Sequence, residues 1–367
     1  MIKVLAYVSG HGYGHSTRMA EVIRSLSVRQ PDWKIYLVTS VPSQLFRDLA
    51  GVTLCLRNGG VDFGAVEHED SLRINAEATI DSLQGILRDS QQIIAKEAAF
   101  VIKEQINLIL ADIPFLAGNI AAAAGVPCLG ISNFTWDWIY EPHLSTDPRA
   151  RSILGRVREG YSRMTAYLKL PFSHPVDLFD EVIEVELVVR RSTRDRAEIA
   201  RRISLDLNDR RPRILLGMRG GISLRQVIAA ANATEEFVFL YPGEAGDKLP
   251  SNLRCIPSDQ QFSFPDVMQL CDGVIAKLGY GIVSEAVAHG TALLYPPRTG
   301  FREDELLRAA SSRYLRAREL PLSDFYVGNW NPYLRQLMSM PAPVECLGMN
   351  GADTCAEIIT RKCSDLL

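Results

Sequence analysis

Short apolar runs rich in Val, Ile and Leu alternate along the chain with segments whose apolar residues recur every three or four positions. The first pattern is typical of buried strands and the second of amphipathic helices. In the first half, the runs predict strands at residues 3–9, 34–40, 52–56, 107–111 and 127–131. Helices are predicted at residues 16–26, with Ser16 as the N-cap, at about 71–105, and after Asp112.

The same alternation restarts in the second half, with strands predicted at residues 213–217, 236–241, 253–256, 273–276 and 292–295. Alternating strands and helices predict parallel sheets that are covered by helices on both faces. Residues 149–209 carry few regular signals, so we place a domain boundary near residue 180. The predicted fold class is α/β, with two Rossmann-like domains, residues 1–180 and 181–367, that face a cleft. The final helix is free to pack back on the N-terminal domain.

Composition narrows the class of protein. A length of 367 residues exceeds what one hydrophobic core usually serves. The 40 Lys and Arg against 43 Asp and Glu give a net charge of −3, which disfavours nucleic-acid binding but leaves peripheral membrane contact open. No apolar run approaches the roughly 20 residues of a membrane span, and the N-terminus reads as a strand and not a signal peptide. Seven scattered cysteines without a Cys-x-x-Cys pair predict a reducing, cytoplasmic location.

The sharpest motif is GHGYGH at residues 10–15, between a predicted strand and a predicted helix. Glycines let backbone amides approach a ligand closely, and a helix N-terminus favours anions. A dinucleotide-binding fingerprint is disfavoured, because His15 occupies the third glycine position and residues 38–40 include no acid for a ribose. The turn instead presents two imidazoles at the mouth of the sheet, with His11, Gly12 and Tyr13 as candidate ligand contacts. The alternative is that both histidines are surface turn residues.

Two further features of the first half follow predicted strands. Asp112 lies at the carboxyl edge of the sheet, where ligands of open α/β sheets bind, and a carboxylate beside an imidazole fixes its tautomer. The alternative role for Asp112 is a helix N-cap. The segment NFTWDWIY offers Asn133, Trp136 and Asp137 to a carbohydrate, whose C–H faces stack on aromatic rings. Its alternative role is a buried anchor, since Trp and Phe more often lie in the core.

A second glycine turn, KLGYGIVSE, joins a strand to a helix in the second half. Its amides and its lysine suit a diphosphate, and its glutamate suits ribose hydroxyls, although a plain strand–turn–helix would carry the same residues. The candidate donor contacts in this motif are Lys277, Gly279, Tyr280, Gly281, Ile282, Ser284 and Glu285. Gly220 and Gly221 form a weaker anion turn. EHED at residues 67–70 resembles a metal site, but such charged loops are usually solvated, and without an Asp-x-Asp motif we expect no metal.

Six segments, taken in order, resemble the glycosyltransferase-like N-terminal region of plant-type L-arabinokinases. They are GHGYGHSTR, VDFGAVEHED, SNFTWDWIY, EVELVVRRS, AKLGYGIVSEA and GMNGAD, and they extend over nearly the whole chain. The sugar-kinase domain that follows in those proteins has no counterpart in this sequence, so arabinose phosphorylation is not implied. More distantly, both halves resemble GT-B glycosyltransferases, including the peptidoglycan N-acetylglucosaminyltransferase and the plant natural-product transferases.

The GT-B resemblance implies roles in both halves. In those families a Gly-His near the N-terminus supplies the general base, which falls on His15, and an Asp that ends a later strand orients it, which falls on Asp112. The first half then binds the acceptor through the GHGYGH turn and the aromatic segment.

In the second half, the Ser-Glu of the family's donor motif falls on Ser284 and Glu285, with Glu285 on the ribose. Lys277 replaces a phosphate-binding His of the plant transferases. The residues that touch the donor sugar fall on Glu303 and Asp304, by a looser alignment.

These observations predict an enzyme, a metal-independent, inverting glycosyltransferase without a bound cofactor. It would move a sugar from a nucleotide-diphosphate donor, with a UDP-sugar favoured, to a hydroxyl acceptor. A nucleotide-sugar epimerase of GT-B fold would instead act on the donor alone. A non-catalytic nucleotide-sugar-binding accessory protein would bind the donor without turnover. The residues do not identify the nucleotide base, the donor sugar, the acceptor or the oligomeric state, and they leave open whether His11 or His15 is the general base.

Overall fold

A computed structural model gives the structure of the chain and describes residues 1–49, 54–58, 60–70, 72–145, 147–218, 221–244, 249–256 and 262–366. The first sheet is wholly parallel, and helical segments join most of its consecutive strands. Its strands are β1 (Lys3–Val8), β2 (Lys34–Thr39), β3 (Leu54–Asn58), β4 (Leu108–Asp112), β5 (Cys128–Ser132), β6 (Ala166–Lys169) and β7 (Val182–Glu184). Their order across the sheet is β3-β2-β1-β4-β5-β6-β7.

Helices cover both faces of this sheet. Those in the first half are α1 (Gly14–Arg29), α2 (Ala76–Glu104), α3 (Leu116–Ala124), α4 (Trp136–Tyr140) and α5 (Ala150–Ser162), with 3-10 helices at Ser43–Leu49 and Glu141–Leu144. Apolar residues of α2, α3 and α5 make one core with the sheet, and those of α1 make the other. The predicted N-cap for α1 is wrong, since the helix begins at Gly14 and Ser16 lies inside it.

The second sheet is also parallel, in the order β10-β9-β8-β11-β12-β13. Its strands are β8 (Arg213–Leu216), β9 (Val238–Pro242), β10 (Leu253–Ile256), β11 (Gly273–Ile275), β12 (Ala292–Tyr295) and β13 (Ala317–Glu319). The helices are α6 (Arg196–Arg202), α7 (Leu224–Asn232), α8 (Phe264–Met268), α9 (Tyr280–His289), α10 (Glu303–Tyr314), α11 (Leu322–Val327), α12 (Asn331–Ser339) and α13 (Gly351–Leu366). A separate apolar core surrounds this sheet.

Two elements show how the chain divides between the sheets. β7 pairs with β6 in the first sheet, although its residues lie just past the predicted boundary at residue 180. The C-terminal helix α13 packs against α1, with Cys355 and Ile359 in the core of the first sheet. Ser25 donates a hydrogen bond of 2.6 Å to Asp353 across this contact. The end of the chain therefore belongs structurally with its beginning.

Strand order reverses at one point in each sheet, between β1 and β4 and between β8 and β11. At such a reversal the connections leave on opposite faces, and a crevice opens at the carboxyl ends of the strands. The GHGYGH turn follows β1, and the KLGYGIVSE turn follows β11. The topology therefore places the two glycine motifs at the two crevices. Among the described residues, no helix is both long and apolar enough to span a bilayer.

Candidate active site

His15 and Asp112 meet at the crevice of the first sheet. His15 lies in the first turn of α1, and its Nδ1 is 2.8 Å from Oδ1 of Asp112, the last residue of β4. Val8 and Asp112 are paired across β1 and β4, so the turn after β1 reaches the end of β4. Asp112 does not cap α3, which begins four residues later behind Phe115. The structure thus brings together two residues that the sequence placed at one sheet edge.

Arg18 completes this group, and the sequence analysis did not single it out. Its Nε donates to Oδ2 of Asp112 at 2.6 Å, and its Nη2 donates to Oδ1 at 2.5 Å. Burial alone would raise the pKa of Asp112, but the charges of Arg18 and His15 hold it below its usual value. The signal was available, because residues three apart share a face of a helix and Arg18 follows His15 by three.

The ionised Asp112 decides the tautomer of His15. A carboxylate can only accept, so the 2.8 Å contact favours a proton on Nδ1 of His15. Arg18 Nη2 also lies 3.0 Å from this nitrogen, but its two hydrogens are donated to Asp112 and Ser132. The neutral ring then has its lone pair on Nε2, the atom that can take a proton from a ligand. The ring is held edge-on against Phe134, with centroids 5.5 Å apart. This arrangement orients a general base.

His11 is held differently. Its ring stacks on Phe301 at 5.3 Å and meets the edge of Trp136 at 5.2 Å. The amide of Ala65 donates to Nδ1 at 3.4 Å, so that nitrogen carries a lone pair and Nε2 carries the hydrogen. Burial, together with the nearby positive charges, lowers the pKa of His11 to about 3. His11 is therefore a neutral hydrogen-bond donor, and Nε2 lies 3.8 Å from a carboxylate oxygen of Glu67.

The aromatic segment differs from its prediction as a stacking surface. Trp136 has no exposed surface, so it cannot stack on a ligand, and its Nε1 donates to Asp62 at 3.1 Å. Asp137 is paired with Arg158 at 2.9 Å on the side of α5. Trp136 is therefore a core residue that packs against the rings of His11 and His15. The sequence could not show this, since a Trp in such a segment suits either role.

Other predicted acceptor contacts fall into two groups. Gly12 and Tyr13 are exposed at the tip of the β1–α1 turn. Asn133 is buried and links the domains: its Oδ1 accepts from Arg18 at 2.7 Å, and its Nδ2 donates to Glu303 at 2.8 Å. Asn133 thus connects Arg18 of the first domain to a carboxylate of the second.

The predicted donor turn faces the predicted acceptor turn. A Cβ added at Gly281 would lie 3.7 Å from the Cα of Gly14, so the starts of α9 and α1 approach across the interface. Gly279 is the N-cap residue of α9. Lys277 lies before this turn, and its Nζ binds both carboxylate oxygens of Glu67, at 3.1 and 3.2 Å. Burial lowers the pKa of Lys277, and Glu67 opposes that effect.

Several side chains of this motif point away from the turn. Tyr280 inserts into the core of the first domain, where its hydroxyl accepts from the amide of Val188 at 3.3 Å. The Ser284 hydroxyl donates back to the carbonyl of Tyr280 at 2.7 Å, and Ile282 packs on the core of the second domain. These side chains therefore contact the protein itself, because helix geometry turns them inward, and the backbone amides of the turn remain its predicted donor contacts.

Glu285 is buried one turn further along α9. Arg190, from the segment between the sheets, binds its Oε1 through Nε at 2.8 Å and Nη2 at 2.7 Å. Burial raises the pKa of Glu285, and the charge of Arg190 opposes that rise. The EVELVVRRS segment thus supplies Arg190 as the partner of Glu285, the predicted ribose-binding residue. The sequence did not predict this contact, because the segment lies between the domains.

The turn after β8 borders an open groove of about 990 Å³ between the domains. Gly221 lines this groove together with Ser223, Arg225, Gln226 and Arg73, whereas Gly220 lies outside the described residues. Ser223 and Gln226 form a capping box that starts α7. Within the described ranges, no cluster of three His, Cys, Asp or Glu side chains is arranged to hold a metal ion.

Glu303 and Asp304 begin α10 and are both buried. Arg298 binds Asp304 through Nε at 2.7 Å, and its Nη2 lies 3.7 Å from Glu303. Its guanidinium also lies 4.2 Å from the centroid of Phe301, the ring that stacks on His11. Arg298 and Phe301 thus connect Glu303 and Asp304 to the His11 ring. The sequence analysis did not indicate Arg298 as a member of the site.

No family model matches this sequence. The chain is 28% identical over 358 residues to an L-arabinokinase of Arabidopsis thaliana, and the match covers 96% of this chain and 34% of the relative. The chain thus spans about a third of the length of the curated relative that it matches. The resemblance predicted from the six motifs is confirmed.

Solved structures match over both domains. The glycosyltransferase VinC, determined with DTDP, is 16% identical with a TM-score of 0.60, covering 100% of this chain and 96% of VinC. MurG of Acinetobacter baumannii is 15% identical with a TM-score of 0.57, covering 98% and 100%. UGT2 of Phytolacca americana, determined with UDP-2fluoro-glucose and pterostilbene, is 12% identical with a TM-score of 0.61, covering 100% and 94%. With its two parallel sheets and facing crevices, the chain has the GT-B fold that its sequence predicted.

Proposed function

We propose that the protein is an inverting, metal-independent glycosyltransferase that moves a sugar from a nucleotide-diphosphate donor to a hydroxyl acceptor. The observation that carries the proposal is the oriented His15–Asp112 pair at the crevice of the first sheet, opposite the glycine turn of α9. The two solved neighbours determined with DTDP and with UDP-2fluoro-glucose support a pyrimidine nucleotide. We take UDP as the first choice for this chain.

The proposed reaction needs one base. Nε2 of His15 takes the proton of the acceptor hydroxyl as its oxygen attacks the anomeric carbon of the donor. The bond from that carbon to the diphosphate oxygen breaks, and the electron pair leaves with the nucleoside diphosphate. A single displacement from the opposite face inverts the anomeric carbon. Asp112 keeps the proton of His15 on Nδ1, and the hydrogen bond strengthens as the ring becomes cationic.

Charge on the leaving diphosphate needs a fixed positive counterpart. Lys277 and the amides at the start of α9 supply it in this proposal, and the nucleotide must then replace Glu67 as the partner of Lys277. Glu285 is proposed to bind the ribose through Oε2, because both Arg190 nitrogens bind Oε1. We propose metal independence because Lys277 can offset the charge of the leaving diphosphate in place of a metal ion.

The test measures transfer and binding separately. Titration calorimetry with UDP, DTDP and other nucleoside diphosphates identifies the nucleotide, and a mixed panel of nucleotide sugars and hydroxyl acceptors is then screened for transfer. His15→Ala should lower turnover roughly 10²–10⁴-fold while nucleotide affinity stays within about twofold. Full turnover in the variant refutes His15 as the base. Conversion of the donor without any acceptor would instead show an epimerase, and nucleotide binding without chemistry would show an accessory protein.

A further inference from the structure

Arg18 lies on α1 three residues after His15, and its side chain is almost wholly buried. Its Nε donates a hydrogen bond to Oδ2 of Asp112 at 2.6 Å, and its Nη1 donates to Oδ1 of Asn133 at 2.7 Å. Its Nη2 donates to the Ser132 hydroxyl at 2.8 Å and also to Oδ1 of Asp112. Three groups thus hold the planar guanidinium in one orientation, with its charge directed at Asp112.

The ion pair of Arg18 and Asp112 is buried at the interface of the two domains. Asp112 has no exposed surface, and Arg18 is 4% exposed. Tyr280, which reaches in from α9, lies over the guanidinium, with its ring centroid 5.0 Å from Cζ of Arg18. In such surroundings opposite charges interact strongly, and a charge that is left without its partner is costly. Burial would raise the pKa of Asp112, and the charge of Arg18 is the largest of the effects that lower it.

Asp112 is shared between Arg18 and His15, whose Nδ1 lies 2.8 Å from Oδ1 of the carboxylate. With Arg18 charged and His15 neutral, the three side chains are neutral overall. Without the guanidinium they would carry one buried negative charge, and the uptake of one proton would remove it. A proton on His15 would fill the lone pair of Nε2. A proton on Asp112 would make the carboxyl a donor to Nδ1, and the hydrogen of the neutral ring would then be on Nε2. In both cases the base would be lost.

Other titratable groups face these side chains from several elements. Burial keeps four of them neutral, by raising the pKa of Tyr167, Tyr280 and Cys355 and by lowering that of His11. Two acids also act on the group, Asp62 on the side of His15 and Glu303 on the side of Arg18. None of these groups can replace the positive charge that Arg18 supplies to Asp112.

We propose that Arg18 is a positioning residue for the transfer reaction: as the fixed counter-charge of Asp112, it keeps that carboxylate ionised and the hydrogen of His15 on Nδ1. The lone pair of Nε2 then stays open to the acceptor hydroxyl. This inference rests on the proposed function and adds to it a residue that acts through Asp112. The base is available at neutral pH because Arg18 already supplies the charge that a proton would otherwise bring.

Three variants test this role in the transfer assay. Arg18→Met removes the charge, Arg18→Lys keeps it, and Arg24→Met is the control at an exposed position of the same helix. We expect Arg18→Met to lower kcat about 100–1,000-fold at pH 6.5. The acid limb of its pH profile should move up by roughly one to three pH units, so that activity recovers towards pH 9. Arg18→Lys should keep the acid limb of wild type, and nucleotide affinity should stay within about twofold in every variant. A loss in Arg18→Met that is equal at every pH would show that Arg18 only supports the fold, and it would overturn the inference.

Nitrogen-15 NMR of the imidazole rings tests the same role without turnover. The chain has six histidines, and the His15 signals are those that are missing from His15→Ala. At pH 7 we expect wild type and Arg18→Lys to show a neutral His15 ring with its hydrogen on Nδ1. Arg18→Met should show a cationic ring or a hydrogen on Nε2. The same ring state in wild type and Arg18→Met from pH 6 to pH 8, or a hydrogen on Nε2 in neutral wild type, would overturn the inference. If Arg18→Met does not fold, Arg18→Gln takes its place, because it removes the charge but keeps a donor for Asp112, and the same outcomes apply.

The two measurements distinguish this inference from the proposed function. The expected ring states without transfer to any acceptor would refute the proposed function and support the role of Arg18 in setting the state of His15. Transfer that is lost in His15→Ala, together with a pH profile and a ring state that Arg18→Met does not alter, would refute the role of Arg18 alone.

Discussion

Removing the charge of Asp62 should stabilise the protein. Its carboxyl has a pKa of about 6, compared with 3.8 for an ordinary aspartate, because burial raises the pKa more than the hydrogen bonds from Ser9, Trp136 and Gly10 and the charge of His15 lower it. At 1.36 kcal/mol per pKa unit, ionisation in the folded state costs about 3 kcal/mol. Although Oδ1 of the carboxyl is buried, the Asp62 residue as a whole is partly exposed, so screening by solvent reduces this to roughly 1–3 kcal/mol. Asp62→Asn should regain that amount near pH 8.

The sign of the stability difference follows from how the ionisation of Asp62 depends on pH. Below pH 3.8 the carboxyl is protonated in both the folded and the unfolded chain, so it imposes no penalty there. As pH rises through about 6, the folded protein must ionise it, and wild type loses stability relative to the Asn variant. The groups that face Asp62 include His15, Tyr140 and Tyr161, and the tyrosines stay neutral because burial raises their pKa.

Urea unfolding of wild type, Asp62→Asn and the control Asp81→Asn, at an exposed position of α2, at intervals from pH 4 to pH 8 measures the effect. The free-energy difference between wild type and Asp62→Asn should be near zero at pH 4 and largest above pH 7. The Asp81 variant should follow wild type throughout. A difference that does not change with pH, or a variant that is less stable at pH 8, would refute the argument from burial. Such a cost is retained in proteins where a residue serves function.

Two further predictions concern the donor side. Lys277→Met should weaken nucleoside diphosphate binding and lower turnover, whereas Glu67→Gln should strengthen that binding about two- to fivefold, because it removes the competing partner of Lys277. Calorimetry on both variants checks this. Loss of wild-type activity in excess chelator, with recovery on adding magnesium, would contradict metal independence. Glu285→Ala should weaken UDP binding by about 1.5–3 kcal/mol, the usual worth of a hydrogen bond to a charged group, and unchanged affinity in calorimetry would remove Glu285 from the ribose site.

The sequence predicted the parts of the site that follow strands. His15 and Asp112 are 97 residues apart, yet Asp112 comes directly after a run that reads as a buried parallel strand, and His15 follows another such run by one short glycine turn. Parallel strands present their carboxyl ends at one edge, so strand prediction alone placed these residues together. Lys277 follows the same logic in the second sheet. The apolar pattern of the sequence predicts where strands end, because that pattern depends only on which residues are buried.

Partners that depend on side-chain direction could not be predicted in this way. Trp136 reads equally well as a ligand surface or a core residue, and only packing against His11 and Asp62 decides for the core. Arg190 lies in a stretch without periodicity, so its contact with Glu285 depends on how that segment crosses between the domains. These contacts are set by tertiary structure, and no local pattern encodes them.

The distribution of charge explains why Asp62 differs from the other acids of the site. Asp112 is bound by Arg18, Asp304 by Arg298, and Glu67 by Lys277, so each of these carboxylates already has a cation. Glu303 accepts from Asn133 and lies near Arg298.

Asp62, by contrast, forms no ion pair with a lysine or arginine among the described residues, and its donors are neutral groups: the Trp136 indole, the Ser9 hydroxyl and the Gly10 amide. A buried carboxylate beside a cation keeps its charge to lower pH than one that only neutral groups bind. Charge pairing thus accounts for the contrast between Asp112, whose pKa lies below its usual value, and Asp62, whose pKa lies above it.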